Sequence, residues 1–311
     1  MPFTDSPLSG VFAAIITPID DSGNIDFAAF DRVVDFVMDR GVDGIVIGGG
    51  TGEYVHFGVK ERSNLAARAV RRMNGRGKVI AGVGTSSIYS TLELARCAED
   101  TGSDLLLIPM PHFFRYGQQD MAAYAEAVAS SVSMPCLLYN LPSFTNGLEV
   151  DTAIRLLESV PNLIGMKDSS GNTANLDFLA HARKNGNFSL FVGDDDLLLA
   201  ALQAGWDGVV SGIACFMPEL IHALYGSFRD GDEGQASSYQ KALDELIEQV
   251  VRLPIPWGVR VGLATRGIAN GPMPVPPSSG RLHQMEELRE WLDHWAAERG
   301  LDLNRVWSHI P

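Results

Sequence analysis

Eight short, continuous apolar runs separated by longer amphipathic stretches limit what this chain can fold into. They fall at 11–16 (VFAAII), 43–48 (DGIVIG), 78–83 (KVIAGV), 104–109 (DLLLIP), 135–140 (PCLLYN), 162–167 (NLIGMK), 188–192 (FSLFV) and 207–211 (DGVVS). Each is bounded by Gly, Pro or Asp. That is the pattern of a strand buried on both faces, as in a parallel sheet covered by helices. Helical periods fill the intervals, near 26–40, 59–73, 87–100, 117–132, 150–159, 172–183, 195–204 and 217–228. In the first, Phe27, Phe30, Val33, Val34, Val37 and Met38 recur at three and four. Several helices stop at glycine, as at Arg40-Gly41, Thr101-Gly102 and Ala204-Gly205.

Eight strand–helix units predict an α/β chain closed into a (β/α)₈ TIM barrel over residues 10–230. A doubly wound open sheet is the alternative, but neither glycine-rich loop (48–53 or 82–87) supplies G-x-G-x-x-G, so no nicotinamide or flavin is expected. Beyond residue 230 the alternation ends. Helical segments at 232–252, 256–270 and 283–299, with a proline-rich stretch at 271–277, predict a C-terminal helical extension over 231–311 packed on the barrel.

A net charge of −14 argues against nucleic acid or an anionic membrane as partner, because both need basic surface. No apolar run reaches the roughly 18 residues of a membrane span, and Met1–Asp5 shows no secretory pattern. Cys97, Cys136 and Cys215 are widely spaced and form no C-x-x-C, as in a reducing, cytoplasmic setting. The seven histidines make no H-x-x-x-H pair, and Asp194-Asp195-Asp196 has no second cluster to complete a ligand set; no metal is expected. These aspartates also suit helix capping.

Barrel chemistry sits at the C-terminal ends of the strands, and three ends carry unusual residues. Lys167 closes the sixth run. An ammonium there is costly to desolvate, which favours a neutral, nucleophilic amine suited to Schiff-base chemistry; it could equally snorkel to water. Strand alternation places Leu163, Gly165 and Lys167 on one face, with Gly165 leaving room for the lysine. Leu137 and Tyr139 share a face of the fifth strand, so Tyr139 on the neighbouring strand is either a proton relay or a core aromatic. The Gly48–Glu53 loop is either a tight turn or a cradle for a carboxylate or phosphate, its glycines letting backbone N–H groups turn toward the anion and the Thr51 hydroxyl adding a donor.

Taken together, Gly50-Thr51-Gly52-Glu53, Tyr139-Asn140-Leu141-Pro142 with Thr145 and Gly147, Gly165-Met166-Lys167-Asp168-Ser169-Ser170-Gly171, Gly193-Asp194-Asp195 and Gly208-Val209-Val210-Ser211-Gly212 give a resemblance. From about residue 10 to 280 the chain resembles the dihydrodipicolinate synthase and N-acetylneuraminate lyase family, pyruvate-dependent class I aldolases on (β/α)₈ barrels. The resemblance implies an imine between Lys167 and a 2-oxo acid with no other cofactor. Tyr139 would be the acid/base group and Gly50–Thr51 the carboxylate site. It also implies self-association as a homotetramer or dimer.

Departures from the family pattern bear on substrate. Dihydrodipicolinate synthases usually carry a threonine where Gly50 stands, a cross-subunit tyrosine matching Phe113, and a substrate-binding arginine matching Phe144. A phenyl ring cannot pair with a carboxylate as a guanidinium does. Neuraminate lyases read sugar hydroxyls where Asp195, Asp196, Val210 and Ser211 lie. The expectation is therefore a lyase cleaving a 2-keto-3-deoxy acid to pyruvate and an aldehyde, closer to aldolases of 2-keto-3-deoxy sugar acids or 4-hydroxy-2-oxoglutarate. A dehydratase on the same scaffold, a dihydrodipicolinate synthase and a non-catalytic sugar-acid binding barrel are the alternatives.

Overall fold

A computed structural model describes residues 8–183, 187–303 and 305. Eight parallel strands form a closed barrel: β1 (Gly10–Ala14), β2 (Gly44–Ile47), β3 (Lys78–Gly82), β4 (Leu105–Pro109), β5 (Cys136–Asn140), β6 (Leu163–Asp168), β7 (Ser189–Val192) and β8 (Gly208–Ser211). Each pairs with its sequence neighbour, and β8 closes on β1 with Phe12 opposite Val210. The intervening helices are α1 (Phe27–Met38), α2 (Val59–Met73), α3 (Ile88–Asp100), α4 (Gln118–Ala129), α5 (Val150–Ser159), α6 (Thr173–Arg183), α7 (Leu198–Gln203) and α8 (Pro218–Arg229). Three further helices follow: α9 (Glu233–Val250), α10 (Trp257–Thr265) and α11 (Ser279–Glu298). The end of the extension predicted to residue 311 (304 and 306–311) lies outside the described residues.

Two apolar cores explain the strand composition. A small cluster fills the barrel and includes Phe12, Ile80, Leu107, Leu137, Phe191 and Val210; a larger one packs the outer strand faces against the helices. A strand serving both cores has no polar face, which is why the runs are continuous rather than alternating.

Three local outcomes differ from the sequence expectation. The segment over 195–204 splits into a tight 3₁₀ turn at Asp195–Leu197 followed by α7, because Gln240 of α9 donates to the carbonyls of Asp195 and Asp196. Helix α10 stops at Thr265, and Gly267 at φ +73° turns the chain away. Helix α11 starts earlier than residue 283, where the Ser278 hydroxyl caps the N–H of Arg281.

Strand β6 also breaks simple alternation. The register slips against β5 between Cys136 and Leu137, so Leu163 joins the outer core while Ile164 packs on the inner one. Leu163 and Lys167 therefore do not share a face.

Candidate active site

At the C-terminal mouth of the barrel lies a cavity of about 420 Å³, lined in part by Gly50, Thr51, Tyr139, Phe144, Lys167 and Asp195. Lys167 and Tyr139 are direct partners across the β5–β6 ladder, and Lys167 Nζ donates to Tyr139 Oη at 3.2 Å. Both side chains are almost fully buried, at 5% and 4% exposure. The ammonium also lies 4.3 Å from the centroid of the tyrosine ring. Among the described residues no carboxylate comes within ion-pair distance of Lys167; its acidic neighbours Asp194 and Asp195 act through space. The lysine is thus mostly buried in the cavity wall without a direct counter-ion among the described residues, with one phenol as its hydrogen-bond acceptor.

The room for this lysine does not come from Gly165. A Cβ at Gly165 would run into the Ser189 carbonyl and meet Leu137 at 3.0 Å, so that glycine serves the close approach of β7. Gly193, after β7, makes the space: its Cβ would stand 2.5 Å from Lys167 Cε and also overlap the Ser169 hydroxyl. Below the site, Asp168 accepts from Asn140 (2.8 Å), Ser170 (2.8 Å) and Asn175 (3.1 Å), which pins the end of β6 and the loop beyond it.

The Gly48–Glu53 loop is held from behind. Glu53 adopts the left-handed region (φ 52°, ψ 37°) and its carboxylate pairs with Arg260 of α10, both side chains being buried. The Arg260 guanidinium also donates to the carbonyls of Thr17 and Asn270, while the Thr17 hydroxyl donates to Gly52 O. The Gly50 and Thr51 N–H groups and the Thr51 hydroxyl donate to no other described residue. They remain available at the cavity wall.

Asp195 and Asp196 both line the cavity. Burial pushes the Asp195 carboxyl up to about 6, opposed by the Ser211 hydroxyl, the Ile213 N–H and the charge of Lys167. Its Oδ1 atom is buried without a hydrogen-bond partner among the described residues. Asp194 is also raised by burial, although the Gly171 N–H holds its carboxylate at 2.8 Å.

The remaining expected residues lie apart from this cavity. Val210 belongs to the inner core, and Ser211 is fully buried, its hydroxyl accepting from Ala214 N–H and supporting Asp195. Phe113 is 84% exposed on the loop after β4, with φ at +78°, edge-on to Phe114, and does not line the cavity of its own chain. Sequence reasoning quoted Ser169 and Gly193 only as parts of motifs, without a role of their own, and overlooked the apolar wall given by Ile247, Val250 and Val259 of the C-terminal extension. Among the described residues no group of three or more His, Cys, Asp or Glu is placed to hold a metal ion, and no helix is long and apolar enough to cross a membrane.

The comparisons with known proteins converge. A family model described as the dihydrodipicolinate synthetase family matches residues 7–294. A 4-hydroxy-tetrahydrodipicolinate synthase of Nitrosospira multiformis is 33% identical over 303 residues, covering 95% of this chain and 97% of that one. One from Laribacter hongkongensis is 35% identical over 268 residues, 84% and 91% of the two chains. Among solved structures, YagE, a prophage protein of the dihydrodipicolinic acid synthase family from E. coli K12 in complex with pyruvate, superposes with a TM-score of 0.88 at 27% identity, covering 93% and 99%. Dihydrodipicolinate synthase from Aquifex aeolicus superposes at 0.86 and 28%, covering 93% and 98%. Enzymes of the family are pyruvate-dependent class I carbon–carbon lyases that work through a covalent lysine imine, without a metal or other cofactor. With a matching model over most of its length and a relative aligned along nearly all of both chains, this chain belongs to the dihydrodipicolinate synthetase family and is an enzyme of that class.

Proposed function

We propose that the enzyme cleaves, or in reverse forms, a 2-keto-3-deoxy acid to give pyruvate and an aldehyde, with Lys167 as the imine-forming residue. The observation that carries this reading is the buried Lys167 Nζ–Tyr139 Oη contact of 3.2 Å at the mouth of the barrel. Lys167 attacks the C2 carbonyl and water leaves. The resulting iminium draws electrons as the C3–C4 bond breaks; the C4 hydroxyl loses its proton as the aldehyde departs, and C3 remains as an enamine. Protonation of C3 and hydrolysis return pyruvate and the free amine. Tyr139 is the group within reach to relay protons at the nitrogen, a role worth about 10²–10⁴ in rate. The free donors at Gly50 and Thr51 suit the substrate carboxylate.

The relatives named as 4-hydroxy-tetrahydrodipicolinate synthases make that reaction the main competitor. Two features count against it. A Cβ at Gly50 would lie 4.0 Å from Tyr139 Oη, so a threonine there could hydrogen-bond the phenol and glycine cannot. Phe144 gives the cavity a phenyl wall in place of a guanidinium. The burial that raises the Asp195 carboxyl to about 6, at the wall of the Lys167 cavity, favours a second outcome on the same imine, dehydration, in which an acid must protonate a departing hydroxyl. Self-association is part of the proposal, supported by the exposed aromatic patch of Phe113, Phe114 and Tyr116; sedimentation would report it.

The test of the mechanism is borohydride reduction with pyruvate and mass analysis of the peptide containing Lys167. Absence of an adduct from folded protein, with several 2-oxo acids tried, removes it. Aldehyde release from a panel of 2-keto-3-deoxy acids tests the substrate, and efficient condensation of pyruvate with aspartate semialdehyde would overturn it. Formation of a deoxygenated 2-oxo acid without aldehyde would identify the dehydratase.

A further inference from the structure

A second cavity of about 380 Å³ adjoins the first, and the two share Gly50, Leu141, Phe144 and Ile255 as common wall. Each is within the range of small-molecule sites, roughly 300–1,000 Å³. Position 50 sits at their junction and carries no side chain, so only ordinary contacts with Leu141 (3.9 Å) and Tyr139 (4.0 Å) would greet even a Cβ there. No side chain at position 50 thickens the wall that the two chambers share.

The chambers differ in chemistry. The first holds Lys167 and the three aspartates 194–196. The second is walled by Tyr54, Val55, Trp257 and Val275, and among the described residues no lysine or arginine lines it. Its one carboxylate, Glu53, is already paired with Arg260. Burial and the nearby Arg62 hold His112 below the ordinary histidine range, towards the neutral ring, and His56 stands at the solvent rim. Of eleven exposed large hydrophobic residues among those described, five (Val55, Phe144, Val251, Ile255 and Val275) line one chamber or the other. Apolar surface left in water at a cavity mouth is stabilised when a ligand covers it.

We infer that the second chamber is the subsite for the far end of the aldehyde fragment, and that this end is an uncharged apolar group, aliphatic or aromatic. A carboxylate entering it would lose part of its hydration with no cation among the described lining residues to replace it. The inference rests on the proposed imine at Lys167. In the condensing direction the enamine C3 attacks the aldehyde carbon, the C3–C4 bond forms, the aldehyde oxygen takes up the proton lost earlier from C3, and water releases the product from the lysine.

The experiment is condensation of pyruvate by the full-length protein with benzaldehyde and 3-methylbutanal, against glyoxylate and succinic semialdehyde, followed as kcat/KM. The apolar aldehydes are expected to lead the carboxylated ones by at least about tenfold, the scale on which a hydrophobic pocket discriminates. Val275→Arg is expected to cut that lead at least about tenfold by supplying the missing cation. A wild-type protein that forms the pyruvate adduct yet prefers the carboxylated aldehydes, or a lead unmoved by Val275→Arg, overturns the inference while leaving the imine intact. Failure of the adduct itself is the separate failure of the mechanism. If Val275→Arg weakens self-association and leaves aldehyde preference untouched, a second copy of the chain fills the chamber and the subsite is refuted.

Discussion

Removing the Arg260 guanidinium should damage this protein more than removing the whole ion pair. Arg260 and Glu53 side chains are 0% and 6% exposed, with Nε and Nη2 both on Glu53 Oε2 at 2.8 and 2.5 Å. Arg260→Met leaves a buried carboxylate with no counter-charge, an error of about 3–5 kcal/mol. The carbonyls of Thr17 and Asn270 lose a donor at the same time, each at a cost of about 1–3 kcal/mol where water cannot reach. Set against a typical total stability of about 5–15 kcal/mol, the variant should be marginal. Glu53→Leu combined with Arg260→Met removes the stranded charge, and should recover part of the loss. The assay is a double-mutant cycle by urea unfolding at neutral pH. A coupling of about 1–3 kcal/mol is expected. Single losses that simply add, to within about 0.5 kcal/mol, would refute the argument that this pair holds the loop through its buried charge.

Gly193→Ala should suppress borohydride trapping of pyruvate, because its Cβ would lie 2.5 Å from Lys167 Cε; unchanged trapping would show that the lysine has another path. Tyr139→Phe should slow turnover by about 10²–10⁴ while still allowing a trapped adduct, as single-turnover and trapping assays would show. For Asp195 the folded-state value of about 6 lies above the ordinary 3.8, so the folded protein binds this proton more tightly than the unfolded chain. Its stabilising contribution is complete below about pH 4 and is lost as pH rises through about 6. Asp195→Asn should therefore gain stability relative to wild type, on the order of 1 kcal/mol between about pH 5 and 8, read from urea midpoints at the two pH values.

The barrel was legible because eight strands apolar on both faces alternate with helices and no glycine-rich dinucleotide loop points to the open doubly wound sheet instead. That Lys167 and Tyr139 meet at adjacent strand ends was legible through their positions and the order of the strands. Alternation failed where a bulge intervened: Leu163 turned outwards and Ile164 inwards, an outcome set by register against β5 and not by β6 alone. The part played by Gly193 was hidden because it depends on a side chain 26 residues earlier meeting it across the β6–β7 ladder. Three successive aspartates look alike in sequence; only the packing distinguishes Asp195, with its buried Oδ1, from the exposed Asp196. The contact of Arg260 with Glu53 spans 207 positions and leaves no local periodicity to read.

That span also sets a schedule. Translation at roughly 5–20 residues per second separates the appearance of Glu53 from that of Arg260 by roughly ten to forty seconds. In the last part of that interval, once Ser211 has been made, a nascent chain has strands β1 to β8 available while the loop at Gly50–Thr51 lacks the Arg260 partner of Glu53. The anchor of the loop is among the later parts to be synthesised. A ribosome that stalls after the last strand has emerged would thus present a barrel carrying Lys167 and Tyr139 but an unanchored Gly50–Thr51 loop, and the loop would be fixed only with the C-terminal helices.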